Sequence, residues 1–198
     1  MNEVEVTILC TTYNQELYIR QCLDSLLEQK TEFQYEILIH DDASTDSSLE
    51  IIREYEKRYP HIIRVMTEKK NQYTSGMRSI MVSLMLPLAR GNYIAICQGD
   101  DYWTDTRKLQ KQYEIMIHNW GCSVCAHQTR IISEDGTLTS QMVQQRNISE
   151  GIIAGQDLLR WIGMEDTHLV HTSSLFVRYA AVHEIIGKIP EFMTASCL

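Results

Sequence analysis

Between residues 4 and 119, short apolar runs that favour β structure alternate with stretches of helical periodicity, and no other feature of the chain restricts its fold as much. Residues 4–10, 35–40, 62–66 and 93–97 read as strands. The last of these, Tyr93-Ile94-Ala95-Ile96-Cys97, is flat in hydrophobicity, as expected of a strand buried on both faces of a parallel sheet. Residues 16–28 place Leu17, Ile19, Cys22, Leu23, Leu26 and Leu27 close to the spacing of an amphipathic helix. Residues 47–58 do the same with Leu49, Ile51, Ile52 and Tyr55, and Tyr59-Pro60 ends the pattern. A third helix is expected over 76–89, kinked or stopped near Pro87, and a fourth over 104–119. The order βαβαβαβα implies an α/β fold, with a mostly parallel, Rossmann-like sheet, right-handed crossovers and flanking helices. Beyond it, residues 122–132 read as one strand, 155–162 as a short helix and 173–177 as another strand. No repeat, low-complexity tract or Pro/Gly-rich linker divides the chain, so a single domain is expected.

At 198 residues the chain is long enough for a substantial core. Its net charge of -8 argues against nucleic acid or an anionic membrane surface as a general partner. If the protein handles phosphates, the positive charge must come from a metal and a few placed Arg or Lys side chains. The start lacks a signal-peptide pattern, and no stretch approaches the roughly 18 apolar residues of a membrane span. The six cysteines are scattered, which suits reduced thiols and a cytoplasmic setting. Cys122-x-x-Cys125 spells half a zinc site without a second pair, so two buried thiols are expected there.

In open α/β sheets ligands bind beyond the carboxyl ends of the strands, and three predicted strand ends carry chemically capable groups. Thr11-Thr12-Tyr13-Asn14 offers an aromatic face with hydroxyl and amide neighbours, suited to a nucleobase, or else a turn with Asn14 as helix cap. Asp41-Asp42-Ala43-Ser44-Thr45-Asp46 contains a cap for the following helix, but Asp41 and Asp42 lie earlier than a cap requires. Gln98-Gly99-Asp100-Asp101 puts two adjacent carboxylates at the end of the fourth strand. They suit Mg²⁺ or Mn²⁺ with phosphate oxygens and water as further ligands, or else they favour the dipole of the next helix. Tyr102 and Trp103 either stack on a sugar or plug the sheet edge, and Arg107, Lys108 and Lys111 read as a solvated helix face.

Together, Thr-x-Tyr-Asn, Asp-Asp-x-Ser-x-Asp and Gly-Asn-Tyr-Ile-x-x-x-x-Gly-Asp-Asp resemble the family 2 inverting glycosyltransferases of the GT-A fold. The continuation Tyr102-Trp103-Thr104-Asp105, then Lys108-Leu109-Gln110-Lys111-Gln112, is similar to a bacterial surface-polysaccharide subgroup. The resemblance implies a single domain over 1–198, its nucleotide-sugar half at 1–105 and its acceptor half at 106–198. It implies that Thr11 and Tyr13 hold the base of a nucleoside-diphosphate sugar, with uridine the guess, and that Asp41 accepts from the base edge while Asp42 supports that loop. Arg78 would lie near the nucleotide, Asp100 would contact ribose or metal, and Asp101 would bind the Mn²⁺ or Mg²⁺ bridging the diphosphate. His168-x-x-His171 is either a source of one more metal ligand or a loop pair. The acceptor would be a glycan or a lipid-linked sugar, reached from the inner face of the membrane.

An inverting transfer needs a carboxylate base. The resemblance puts it after the strand 172–178 and the helix 180–187, yet no Asp follows before Leu198. The base is then expected beyond Leu198 or elsewhere, with Asp166 of Glu165-Asp166 and Glu191 as alternatives. The chain is expected to bind donor and transfer poorly, and the rival reading is a catalytically incomplete nucleotide-sugar-binding module. Thr11-Thr12-Tyr13-Asn14 has neither Gly nor Lys, which excludes the Gly-rich phosphate loops of nucleotidyltransferases, P-loop proteins and dinucleotide-binding folds.

Overall fold

The computed structural model describes residues 3–77, 80–133, 137–142, 151–152 and 170–186. Among the described residues eight strands and four α-helices follow in order: β1 (Val4–Thr12), α1 (Ile19–Leu27), β2 (Gln34–Asp41), α2 (Ser48–Arg58), β3 (Ile63–Thr67), β4 (Tyr93–Ile96), α3 (Lys108–His118), β5 (Val124–Cys125), β6 (Arg130–Ile132), β7 (Leu138–Met142), β8 (Phe176–Arg178) and α4 (Tyr179–Ile186). Six strands form one sheet in the order β3-β2-β1-β4-β8-β5. The first four are parallel, and β8 runs antiparallel to both β4 and β5. Strand order reverses between β1 and β4, which opens a crevice above their carboxyl ends. Strands from both halves of the chain share this sheet.

The continuous apolar runs produce a sheet covered on both faces. One face buries Val6, Ile8, Cys10, Ile37, Ile39, Ala95 and Cys97 beneath Leu23 and Leu26 of α1, Ile52 and Tyr55 of α2, and Leu109 and Met116 of α3. The other buries Leu9, Leu38 and Ile94 beneath Met85 and Leu86, with Val182 of α4 packed alongside. At the amino-terminal end of the sheet the Glu36 carboxylate is fully buried and accepts hydrogen bonds from Thr7, Arg64 and Arg90.

Several elements depart from the sequence expectation. The helix expected over 76–89 is a π-helical turn, Met81–Met85, followed by a 3₁₀ turn, Leu86–Leu88. Gly76, at φ +100°, closes a turn after β3 instead of starting a helix, and Pro87 lacks the N–H that would continue an α ladder. The expected strand 122–132 is two: β5 in the main sheet, and β6, which pairs with β7 in a separate hairpin. Its neighbour β8 is only three residues long, so β5 finds two partners there, Val177 and Phe176. Lys108 is not on a solvated face: it is buried with its ammonium 3.5 Å from the Trp103 ring centroid. Trp103 itself is buried in the core beyond the interior strand β4 and donates from Nε1 to the Ser173 carbonyl, so it neither presents its ring to a sugar nor lies at the sheet edge. The helix expected over 155–162 lies outside the described residues.

Candidate functional site

The loop after β1 and the loop after β2 are laced together. The Asn14 N–H donates to Ser44 Oγ at 3.0 Å, and Asn14 Oδ1 accepts from the Thr45 N–H at 2.8 Å. The Gln15 N–H donates to Ser48 Oγ at 2.8 Å and the Glu16 N–H to Asp46 Oδ2 at 3.0 Å. Asn14 and Ala43 take positive φ, 51° and 62°, at the two bends. Asn14 is therefore a cross-loop tie and not a helix cap, since α1 begins only at Ile19. Asp46 lies just before Ser47, the N-cap of α2, and accepts from the Ser48 N–H at 2.9 Å, satisfying a donor of the first turn. The polar residues between Asp42 and α2 thus serve chiefly to hold Tyr13 and its neighbours in place.

A third loop, following β3, is fixed from below by Asp42. Its Oδ1 accepts from the Gln72 N–H at 2.6 Å, its Oδ2 from the Tyr73 N–H at 3.1 Å, and its backbone carbonyl from Asn71 Nδ2 at 3.2 Å. A fourth, after β4, comes so close to the first that it tolerates no side chain at Gly99. A Cβ there would lie 2.5 Å from Gln15 Oε1 and 2.9 Å from both Thr12 Cβ and Oγ1.

These four loops enclose a crevice of about 450 Å³, lined by Thr11, Thr12, Tyr13, Gln15, His40, Asp42, Asn71, Tyr73, Thr74, Ile80, Gln98 and Asp100. Four of the expected residues, Thr11, Tyr13, Asp42 and Asp100, are in its wall. Asp41 is not among the lining residues. It is fully buried, with Oδ2 accepting from the Ser44 N–H at 3.1 Å and Oδ1 without a hydrogen-bond partner. The position facing the crevice from that pair is Asp42, the first residue beyond β2. Tyr13 and Tyr73 are 43% and 54% exposed. Arg78, Asp166, His168 and Glu191 lie outside the described residues. Gln15, His40, Asn71, Tyr73, Thr74 and Ile80 were not singled out from sequence. The rule that ligands gather beyond strand ends points to the loop after β3 as much as to the other three.

Asp101 turns from the crevice toward β8. The Gln98 N–H donates to Ser173 Oγ at 3.0 Å, and that hydroxyl donates in turn to Asp101 Oδ2. His171 Nδ1 lies 3.6 Å from the same oxygen and accepts from the Ser173 N–H at 3.3 Å. The contact is an ion pair only with His171 protonated on Nδ1, which would break the bond from the Ser173 N–H; with Nδ1 accepting that bond, it sets acceptor against acceptor. Burial pushes the Asp101 carboxyl above its usual range, with the neighbouring Asp100 adding to the effect and the Ser173 hydroxyl opposing it. With His171 neutral, two acceptors facing each other beside a second carboxylate, that of Asp100, fit a hard divalent cation whose other ligands are phosphate oxygens and water. Among the described residues no group of three or more His, Cys, Asp or Glu side chains is arranged to hold a metal without such help. Cys122 and Cys125 are free thiols.

Residues 7–183 match the model of glycosyl transferase family 2. The chain belongs to that family. Among relatives of this family 2 chain, an uncharacterized protein of Mycobacterium tuberculosis is 43% identical over 136 residues, 69% of this chain and 38% of its own length. The putative teichuronic acid biosynthesis glycosyltransferase TuaG of Bacillus subtilis is 32% identical over 132 residues, 67% of this chain and 49% of its own. The family 2 chain therefore spans well under two thirds of the curated relatives it matches. Its fold is that of GT-A enzymes. Staphylococcus aureus TarS in complex with UDP-GlcNAc superposes with a TM-score of 0.61 at 20% identity, over 94% of this chain and 49% of TarS. The mannosyltransferase PcManGT of Pyrobaculum calidifontis, with GDP-Man and Mn²⁺, gives 0.62 at 18% identity, over 95% and 48%. Among the described residues no helix is long and apolar enough to cross a membrane.

Proposed function

We propose that this chain is the donor-binding domain of a metal-dependent inverting glycosyltransferase. It would move a sugar from a nucleoside-diphosphate sugar to a glycan or lipid-linked acceptor in cell-surface polysaccharide synthesis. The observation that carries this reading is the crevice at the β1/β4 switch point, lined by the aromatic Tyr13 and Tyr73 and by the acidic Asp100, with Asp101 next in sequence turned toward Ser173 and His171. Such a combination matches a nucleotide, whose base stacks and whose diphosphate needs a cation. TuaG, TarS and PcManGT support the same assignment by family and by fold.

In this reading Tyr13 and Tyr73 flank the base, and Thr11, Asn71 and the loop organised by Asp42 supply polar contacts to its edge. Asp41 acts from beneath by fixing the turn at Ser44. Asp100 faces the ribose. Asp101 and His171 would hold a Mn²⁺ or Mg²⁺ ion, which neutralises charge on the departing nucleoside diphosphate when bound. Arg78 would add a cation beside the diphosphate. The acceptor hydroxyl attacks the anomeric carbon from the face opposite the diphosphate. As the new C–O bond forms, the bond to the diphosphate breaks and a carboxylate base takes the hydroxyl proton. Asp166 is the candidate base within this chain.

Calorimetry with UDP, with and without Mn²⁺, tests the assignment. Binding should depend on the metal, and Asp101→Asn should weaken it at least tenfold while leaving the melting temperature within a few degrees. Unchanged affinity in that variant removes the metal assignment. Donor hydrolysis by the same preparation then separates an enzyme from a module that binds without turnover.

A further inference from the structure

We infer that His40 reads the nucleobase, an assignment that rests on the crevice being a nucleotide site. His40 precedes the acidic pair on β2, where an apolar side chain would continue the core, and its side chain is fully buried. Neither ring nitrogen has a hydrogen-bond partner, and the closest carboxylate oxygen, Glu68 Oε1, stays 3.8 Å from Nε2. Thr12 Oγ1 and Gln15 Oε1, in the same crevice wall, are likewise unpartnered. At the other end of the sheet, by contrast, both oxygens of buried Glu36 are engaged. Buried polar groups are normally satisfied, and leaving them unpaired is costly. Several such groups in one cavity wall mark the place where a polar ligand completes the bonding.

The position of His40 says which part of the ligand it meets. Parallel pairing sets it opposite Thr11 of β1, so both side chains leave the same face of the sheet and both line the crevice. In the strand order β3-β2-β1-β4, β2 is separated by β1 from the strand that leads into Asp100 and Asp101. His40 is instead beside β3, whose following loop brings Asn71 and Tyr73. The portion of a nucleotide farthest from its diphosphate is the base. A modest rotation of the imidazole on binding, of a kind common at binding surfaces, lets one ring N–H donate to a carbonyl of the base. A site built around a donor rejects a base that presents an amino group in that place. The selected class is therefore a keto base such as uracil, in preference to cytosine.

The test compares UDP with CDP by calorimetry at saturating Mn²⁺, on the whole chain. Wild type should favour UDP at least tenfold. His40→Phe should lose about tenfold for UDP, change CDP affinity less than twofold, and so bring the two together. His40→Gln, which keeps a donor, should restore most of the preference. If His40→Phe proves unstable, ¹⁵N-imidazole spectra of wild type provide a second measurement, since UDP should shift one ring whose signals are missing in His40→Gln. Wild-type preference that survives His40→Phe, or equal losses for UDP and CDP, overturns the role of His40 and leaves the nucleotide site standing. Failure of wild type to bind any nucleoside diphosphate overturns both.

Discussion

Replacing Glu36 by Gln isolates the polar cluster that closes the amino-terminal end of the sheet. Glu36 Oε1 accepts from Thr7 Oγ1 at 2.9 Å and from the Arg90 N–H at 3.0 Å. Oε2 accepts from Arg64 Nη1 at 3.0 Å, Arg90 Nε at 2.8 Å and Arg90 Nη2. A Gln side chain keeps the shape and the first two bonds, but turns an amide NH₂ toward three guanidinium N–H groups. The guanidinium side chains are 37% and 55% exposed, so their freed donors hydrate at modest cost. The buried amide cannot, and an unsatisfied buried group costs about 1–3 kcal/mol. Adding part of the lost charge-assisted bonding gives about 2–4 kcal/mol, below the roughly 3–5 kcal/mol of a pair buried on both sides. Burial alone would raise the Glu36 pKa, but hydrogen bonds from Arg90, Arg64 and Thr7 outweigh it and hold the carboxyl below its usual range. A depressed folded pKa means that this stabilisation is complete above the unfolded value, about 4.3, and is lost as pH falls through the folded one. Urea denaturation followed by circular dichroism should therefore show a constant gap between wild type and Glu36→Gln from pH 6 to 8, closing in acid. A gap under about 0.5 kcal/mol at pH 7, or one that widens in acid, refutes the reasoning.

Lys108→Met should stabilise the protein. Burial pushes the Lys108 ammonium down to about 7, and contact with Trp103 offsets only part of the cost. Because the folded pKa is below the unfolded one, the gain is largest below pH 7, about 1–2 kcal/mol, and fades as pH rises toward 10. Thermal melts across that range check it, and a destabilised variant at pH 6.5 contradicts it. Gly99→Ala should cut nucleotide affinity tenfold or more in calorimetry with only a few degrees lost in melting temperature. The added methyl meets Thr12 on a strand end that cannot yield, whereas the Gln15 side chain can. Affinity within twofold of wild type would mean that the two loops separate freely.

The first half of the fold was legible because burial on both faces writes itself as unbroken apolar runs: all but the first two residues of β2 are buried. The rim chemistry was legible for the same reason, since polar residues that interrupt such runs mark where strands end. What escaped depends on contacts remote in sequence. Nothing local distinguishes the three-residue β8 from a loop, and its antiparallel pairing with β4 comes from tertiary packing. The Lys108 error has a similar origin. Arg107 and Lys111, one turn apart, are exposed as expected, but Lys108 was placed on their face, whereas it packs under Trp103 and beside Cys97 and Cys125, which no i, i+4 pattern reports. Asp41 and Asp42 were both expected at the nucleotide, and only Asp42 lines the crevice, because side chains of neighbouring residues in extended chain leave on opposite sides.

Ser173 has an implication for how the molecule is made. Its hydroxyl and carbonyl reach Asp101 and Trp103 across 72 and 70 residues of sequence. The four parallel strands and their helices emerge from the ribosome long before this serine does. The side of the crevice that carries Tyr13 and Tyr73 can therefore take shape early in synthesis, while the Asp101 side stays unfinished until a late segment arrives to lock it.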